Sequence, residues 1–181
     1  MANTATNVST GKPNIAGAVF VAPMTAEVPT DATSSLGSEF VCLGYVSEDG
    51  LENNNEMDVS ATKAWGGMIV YRSLTELDDN FALTLIESEN VDVLKNVYGD
   101  KNVTESDGKI TVDVKAEDPQ EKIWVFDLAL RGGKVKRIVI PDGAVTARET
   151  ITYNDTDAIG YGITVSAYPD ASGSTHKEYI A

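Results

Sequence analysis

The sequence is poor in the two residues that most often build metal and redox sites. It contains one cysteine, Cys42, and one histidine, His176, in 181 residues. A lone cysteine cannot close a disulfide within the chain, and one cysteine with one histidine cannot form a zinc site. We therefore expect no metal and no cofactor, and we expect stability to come from packing or from assembly.

Positive charge is also scarce. The chain has 14 Lys and Arg against 28 Asp and Glu, which gives a formal net charge of −14 and an isoelectric point near 4.3. Nucleic-acid phosphates repel a chain of this sign, which argues against tight nucleic-acid binding. No apolar run approaches the roughly 20 residues that a membrane-spanning helix needs, which argues against membrane insertion.

The common catalytic and targeting motifs are missing too. There is no nucleophile elbow, P-loop, dinucleotide fingerprint or zinc-protease motif. Residues 1–10 contain no secretory signal, which predicts synthesis in a cytoplasm. His176 lies among small polar residues near the C-terminus, which predicts a solvated tail residue rather than a general base. We expect no enzymatic activity; the catalytic alternative is a glycosidase-like pair of acids, which needs only two carboxylates.

The chain does contain a repeated alternation of apolar and polar residues, typical of strands with one buried face. Turn dipeptides at Asp107-Gly108, Gly132-Gly133 and Asp142-Gly143 separate several of these segments. The pattern predicts a mainly β fold, an antiparallel β-sandwich or partly open barrel of about eight or nine strands. The predicted strands are residues 16–23, 40–46, 65–71, 81–85, 110–116, 124–130, 145–153 and 159–167.

One segment changes to helical spacing. The stripe consists of Val91, Leu94, Val97 and Tyr98. This spacing predicts one short helix, with Asn90 capping its N-terminus and Gly99 ending it. We expect the helix to cover one end of the β domain.

The ends of the chain lack a periodic apolar pattern, so we divide it into three parts. An N-terminal arm at residues 1–15 precedes one β domain at 16–168, and a C-terminal tail follows at 169–181. Within the domain, residues 47–64 are rich in acids and asparagine and are interpreted as a long loop. Loops of this length in compact domains tend to be functional or disordered.

This loop is the first candidate for a subunit contact. It is either a solvated flexible segment or a segment that becomes ordered only against a neighbouring subunit. On the second interpretation, the residues expected to make the contact are Asp49, Leu51, Asn54, Glu56 and Trp65.

A group of basic residues is the second candidate. The group is Arg131, Lys134, Lys136 and Arg137, around the turn at Gly132-Gly133. On an acidic chain such a hairpin tip could pair head to tail with the acidic loop of an identical copy. The alternative is an ordinary solvated hairpin.

Several short segments follow one another in a particular order. They are Gly17-Ala-Val-Phe-Val-Ala-Pro23, Leu43-Gly-Tyr-Val-Ser-Glu-Asp-Gly-Leu51, Lys63-Ala-Trp-Gly-Gly67, Phe81-Ala-Leu-Thr-Leu-Ile-Glu87, Val91-Asp-Val-Leu-Lys95 with Val97-Tyr-Gly-Asp100, Arg137-Ile-Val-Ile-Pro-Asp-Gly143 and Glu149-Thr-Ile-Thr-Tyr153. Their order and spacing, over residues 17–168, resemble those of the major tail tube proteins of long-tailed bacteriophages. The resemblance is closest to the proteins of non-contractile tails.

The resemblance implies a β-sandwich or barrel-like tail-tube fold with one helix, in a structural virion protein. It implies self-assembly into stacked hexameric rings that form the hollow tube through which DNA reaches the host during genome ejection. The partners it implies are further copies of the chain and the tape measure, distal tail and tail terminator proteins. DNA would pass without tight binding, and the protein would be made in the host cytoplasm and located in the phage tail.

Other structural roles are the alternatives. A β-sandwich of this size could instead bind to or decorate a virion or a cell surface. Binding modules of that kind usually expose aromatic residues, and only 7% of this chain is aromatic. Most of those aromatic residues are needed for the core, which favours the tube subunit.

Overall fold

The computed structural model describes residues 3–181, and most of its regular structure is strand. The strands are β1 (Lys12–Pro13), β2 (Val19–Pro23), β3 (Val41–Cys42), β4 (Val46–Lys63), β5 (Ile69–Leu85), β6 (Val103–Ser106), β7 (Lys109–Val112), β8 (Lys122–Ala129), β9 (Val135–Arg148), β10 (Tyr161–Ala167) and β11 (Lys177–Ile180). Helix α1 spans Val91–Tyr98, and 3₁₀ turns lie at Ala5–Asn7, Asp100–Asn102 and Arg131–Gly133. The predicted mainly β fold with one short α-helix is thus confirmed for the described residues.

One antiparallel sheet contains 9 of the strands. Its order is β3-β2-β8-β9-β10-β5-β4, with β1 beside β8 and β11 beside β9. Strand β9 belongs to both halves of this sheet, because it pairs with β8 from Val135 to Gly143 and with β10 from Gly143 to Arg148. We call β4, β5, β10 and the part of β9 from Gly143 to Arg148 the second half-sheet. Strands β6 and β7 form a separate small sheet.

The two halves of the large sheet face each other across the core. Phe81 of β5 stacks on Phe126 of β8, with ring centroids 5.7 Å apart. These strands are separated in the sheet by β9 and β10, which in a flat sheet would hold them about 14 Å apart. The sheet is therefore folded over into a sandwich, and it stays open because its end strands β3 and β4 do not pair within the described chain.

Helix α1 closes one end of this sandwich, as its sequence predicts. The side chain of Asn90 accepts a hydrogen bond from the N–H of Asp92 at 3.0 Å, and the helix ends at Gly99 with a φ of 102°. Leu94 and Val97 are buried in the core shared with β5 and β8. Local capping and the apolar stripe thus account for both the position and the orientation of the helix.

The turn predicted at Asp142-Gly143 is wrong, because β9 runs through both residues. Gly143 is instead the point at which β9 passes from one half of the sheet to the other. A Cβ atom here would lie 2.9 Å from Cγ2 of Ile140 and 3.2 Å from Cδ1 of Trp124. Close packing at the bend of the sandwich therefore explains this glycine.

The loop predicted at residues 47–64 is also wrong, because residues 47–63 belong to β4. Its asparagines and acids favour a loop when they are considered singly. However, acidic and apolar residues alternate from Glu56 to Val59, and β4 pairs with β5 along most of its length. The long ladder of backbone hydrogen bonds outweighs the weak strand propensity of the individual residues.

Both ends of the chain contribute short strands to the sheet. In the segment interpreted as an arm, Lys12 and Pro13 pair with Ala129 and Leu128 of β8. In the segment interpreted as a tail, β11 pairs with β9, and Tyr179 packs against a small second core. The C-terminal residues are therefore part of the folded domain.

Candidate assembly surface

Strands β4 and β5 extend beyond the sandwich as a two-stranded hairpin. Strand β5 pairs with β10 from Asn80 to Leu85, whereas its residues from Ile69 to Asp79 pair with β4 alone. A turn joins the two strands, in which the N–H of Ala64 donates to the carbonyl of Met68 at 2.8 Å. We call residues 56–78 the hairpin arm.

One face of the hairpin arm is apolar. Its cross-strand pairs are Met57 with Leu77 and Val59 with Leu74. By the strand register, these side chains point to the same side of the sheet as the buried Phe81. They lie beyond the sandwich, however. Their side chains are between 42% and 66% exposed. Exposed apolar rows of this kind are typical of surfaces that bind another molecule.

The opposite face of the arm is acidic. Glu56 lies directly across from Asp78, and Asp58 lies directly across from Glu76. Like charges at directly opposed positions of neighbouring strands are destabilising. Two consecutive pairs of acids therefore lower the stability of the hairpin, so stability does not explain their presence.

The acidic side of the arm continues across the second half-sheet as a surface of small polar groups. Ser166 of β10 bonds to Asn80 of β5 at 2.6 Å and to Thr146 of β9 at 2.7 Å. The register places no Lys or Arg on this side in the described chain, since Lys63 and Arg72 share the apolar side of the hairpin. We call this surface, on the arm and the half-sheet together, the acidic face.

The residues predicted as contacts in the supposed loop lie in different surroundings. Asp49 is exposed near the start of β4, and Asn54 and Glu56 lie on the acidic face. Trp65 is fully exposed in the turn at the tip of the arm. Leu51 packs against the chain's own core and is only partly exposed. The contact of these residues with another subunit stays a prediction.

The predicted basic group is divided in the same way. Arg131 and Lys134 are exposed beside the turn between β8 and β9. Lys136 forms an ion pair with Glu178 of β11 at 2.6 Å. Arg137 is buried, so it does not belong to an exposed basic patch.

Arg137 instead holds parts of its own chain together. Its Nε and Nη2 donate to the two carboxylate oxygens of Asp127 at 2.7 and 2.9 Å. Its Nη1 donates to the carbonyls of Asp31 and Ser34 at 3.2 and 2.9 Å. The hydrogen bond to Asp127 raises the pKa of Arg137 above its usual value. The guanidinium thus fixes the loop between β2 and β3 to the sheet.

We expect the substitution Arg137→Ala to destabilise the protein by about 3–5 kcal/mol, because it leaves the Asp127 carboxylate buried without its partner. Denaturant unfolding followed by tryptophan fluorescence measures this change. The matched control is Lys134→Ala at the exposed turn, with an expected change within about 0.5 kcal/mol. Equal stability of the two variants would contradict the structural role of Arg137.

A second buried carboxylate lies at the base of the hairpin arm. Asp79 is 1% exposed and accepts hydrogen bonds from Thr175 at 2.6 Å and from Asn53 at 2.9 Å. Nδ1 of His176 lies 2.5 Å from its Oδ2, and the rings of His176 and Phe81 are nearly perpendicular with centroids 5.2 Å apart. The expectation that His176 is a solvated tail residue is therefore wrong. The C-terminal segment and both strands of the hairpin meet at this carboxylate.

Asp79 should make stability depend on pH. Burial raises the pKa of Asp79, but hydrogen bonds from Thr175, His176 and Asn53 lower it more, so the pKa lies below its usual value. The ionised carboxylate therefore contributes stability above about pH 4, and this contribution is lost as the pH falls through the folded-state pKa. Melting temperatures between pH 6 and pH 3 should fall more steeply for the wild type than for Asp79→Asn. An equally steep fall of the melting temperature in the two proteins would contradict this role. The control is Asp155→Asn at an exposed acid, whose melting temperature should fall as steeply as that of the wild type.

The described residues hold no group of three or more His, Cys, Asp or Glu side chains that could bind a metal. Over the same part of the chain, no helix is both long enough and apolar enough to cross a membrane. The arrangement offers two contrasting surfaces on one projecting hairpin.

Comparison with protein families decides what kind of protein carries these surfaces. The family model described as "Phage tail tube protein" matches residues 3–181. The chain belongs to the phage tail tube protein family. The resemblance to phage tail tube proteins found in the sequence is confirmed, and this tail tube protein is a structural component of a bacteriophage virion. Its family implies that it assembles with copies of itself and with other tail proteins.

The tail tube protein has a distant likeness among solved structures. It is similar to a chain described as the anti-feeding prophage cap, the AFP tube terminating cap. The TM-score is 0.47 and the sequence identity 14%, with 100% of each chain covered. Similarity at this level carries no information on function. No curated protein matches the sequence.

Proposed function

We propose that this tail tube protein forms hexameric rings, which stack into the hollow tube that conducts DNA from the capsid to the host during genome ejection. The observation that carries the proposal is the acidic face. It bears Glu56, Asp58, Glu76 and Asp78 without an opposing cation in the described chain. When this face lines the lumen, the wall repels DNA phosphates and the duplex slides without binding.

The distance over which charges act explains why the position of these acids matters. At an ionic strength of about 0.1 M, exposed charges are screened beyond about 10 Å. The net charge of −14 is therefore not sufficient by itself, since acids on the outside of the tube have no effect on DNA in the lumen. Acids concentrated on one face of one half-sheet provide the repulsion where the duplex passes.

The apolar face of the hairpin arm supports the stacking of rings. If the acidic face lines the lumen, Met57, Val59, Leu74 and Leu77 point into the tube wall. At about 3.3 Å per residue, the arm reaches roughly 25 Å past the sandwich, far enough to overlap the next ring. A subunit of that ring then covers the exposed apolar row, and burial of apolar area drives stacking.

The remaining parts of the proposal concern polar contacts and partners. Asp49, Asn54, Glu56 and Trp65 take part in contacts between subunits, and Arg131 with Lys134 pairs with acidic residues of a neighbouring ring. These ion pairs make stacking sensitive to salt. The tape measure, distal tail and tail terminator proteins are its further partners in the tail. The chain is made in the host cytoplasm and becomes part of the tail.

The dimensions of the second half-sheet fit this function. If each of six subunits contributes 4 strands, about 24 strands at about 4.8 Å spacing and up to about 45° tilt enclose a barrel roughly 37–50 Å wide. Negative-stain microscopy and light scattering of the purified protein over a concentration series test the proposal. Rings or tubes of uniform width are expected. A monomer at every concentration would favour a binding or decorating module instead.

A further inference from the structure

The second half-sheet has two edges without a partner strand in the described chain. Strand β4 pairs only with β5, and residues 145–148 of β9 pair only with β10. Unpaired edges are templates for pairing with another chain. Since the two edges lie at opposite ends of the same half-sheet, one copy can offer β4 to the β9 edge of the next.

A cleft of about 360 Å³ lies along the free edge of β9. Lys95 at the end of α1 and Arg148 of β9 line it, and neither has an ion-pair partner among residues 3–181. The guanidinium of Arg148 lies 5.7 Å from the ring centroid of Tyr98. The other lysines of the cleft are already paired: Lys115 with Asp113 and Lys122 with Asp100. Lys95 and Arg148 are therefore the cations free to bind an incoming carboxylate.

One residue that lines the cleft, Glu117, has a polar atom without a partner among the described residues. Oε2 of Glu117 is buried and makes no hydrogen bond in the described chain, while Oε1 faces Lys101 at 3.4 Å. A buried acceptor left unpaired is costly. After a rotation of the Glu117 side chain, a backbone N–H of an incoming strand can donate to this oxygen, whereas phosphate oxygens cannot.

The edge of β4 carries the complementary charge. Between Val46 and Leu51 the strand bulges away from β5, because residues 47–50 lie opposite the single residue Thr84. The bulge projects from the free edge and exposes Glu48 and Asp49. Neither carboxylate has an ion-pair partner among the residues described. A bulge at a sheet edge re-aims side chains in this way.

We propose that the cleft beside β9 is the lateral docking site for the β4 bulge of a second copy of this chain, with Glu48 and Asp49 of that copy against Lys95 and Arg148. The inference rests on the proposed tube function, because a ring brings these edges together. Strand direction supports it: β9, β10, β5 and β4 alternate in direction, so β9 and the β4 of a rotated copy run antiparallel. Edge pairing within the ring therefore continues the ladder already present in each subunit.

Charge reversal tests this docking. We expect Arg148→Glu and Lys95→Glu, each made alone, to raise the protein concentration needed for half-maximal assembly about tenfold. The double variant Glu48→Lys with Asp49→Lys should have the same effect. Combining Arg148→Glu with Asp49→Lys should restore most of the loss, since the pair is re-formed with reversed charges. Lys109→Glu, an equal change of charge on β7, is the control and should assemble like the wild type.

A disulfide test does not depend on tubes. In a Cys42→Ser background, Asp49→Cys with Arg148→Cys should give a ladder of cross-linked species that ends in a closed ring, and each single variant only dimers.

No ladder, together with normal tubes from all charge variants, would overturn the docking site while leaving the tube function intact. Duplex DNA binding by the wild type that Arg148→Glu abolishes, with unchanged assembly, would overturn it in favour of a phosphate site. Absence of wild-type tubes at any concentration would count against the proposed function, and a ladder would still support the docking site.

Discussion

A chain without its hairpin arm is expected to fold normally and to form no tubes. The variant lacks residues 57–77 and joins Glu56 to Asp78 through an Asn-Gly turn, which suits a short hairpin. None of the buried apolar residues of the core lies in the deleted segment, so the sandwich should persist. Loss of the apolar face removes the area that we propose is buried between rings. Circular dichroism checks the fold, and negative-stain microscopy checks assembly.

Two further variants show which face of the arm is responsible. Leu74→Ser with Leu77→Ser keeps the hairpin but makes its apolar face polar, and it should also fail to form tubes. Ser60→Ala with Thr62→Ala changes the opposite face and should assemble normally. Tubes of normal length from the chain that lacks the arm would show that ring stacking does not depend on it.

Reversing the charges of the acidic face is expected to turn the tube into a DNA-binding surface. Glu56, Asp58, Glu76 and Asp78 are all changed to Lys, while the apolar face is retained. Assembled tubes should then bind duplex DNA, and binding should fall steeply with salt because phosphate contacts release counterions. Virions carrying the variant should eject their genomes slowly or incompletely, because the duplex binds to the wall. DNA retention on purified tubes and ejection rates measure the two effects.

The matched control changes the same number of acids elsewhere. Glu105, Asp107, Asp155 and Asp157 are exposed and lie outside the acidic face. Changing all of them to Lys gives the chain the same formal charge. Normal ejection from this control, with DNA retained by the first variant, is the expected result. Equal DNA binding by both would mean that net charge, and not the acidic face, governs passage.

Local signals in the sequence predicted those parts of the fold that short-range interactions determine. Asn90 and Gly99 bound the helix because capping and positive φ are properties of single residues and their immediate neighbours. Strands with one buried face were identified because alternation reports burial. Asp127 and Arg137 are separated from Gly132 by the same number of residues in the sequence. That symmetry about a predicted turn could have indicated their pairing.

Other parts depend on contacts that a single sequence does not reveal. Residues 47–64 were interpreted as a loop because asparagine and acids dominate them, although Met57 and Val59 alternate with Glu56 and Asp58. The hydrogen bond between Asp79 and His176 joins residues separated by 97 positions. The order of strands in the sheet is equally non-local, so the free edges of β4 and β9 could be recognised only in the structure.

Cryo-electron microscopy of assembled tubes tests the central claim most directly. The account predicts hexameric rings in which the second half-sheet of every subunit faces the lumen. Glu56, Asp58, Glu76 and Asp78 should line the channel, and the apolar face of each arm should be covered by the next ring. A reconstruction with the acidic face on the outside of the tube, or with a lumen lined by lysine and arginine, would contradict it.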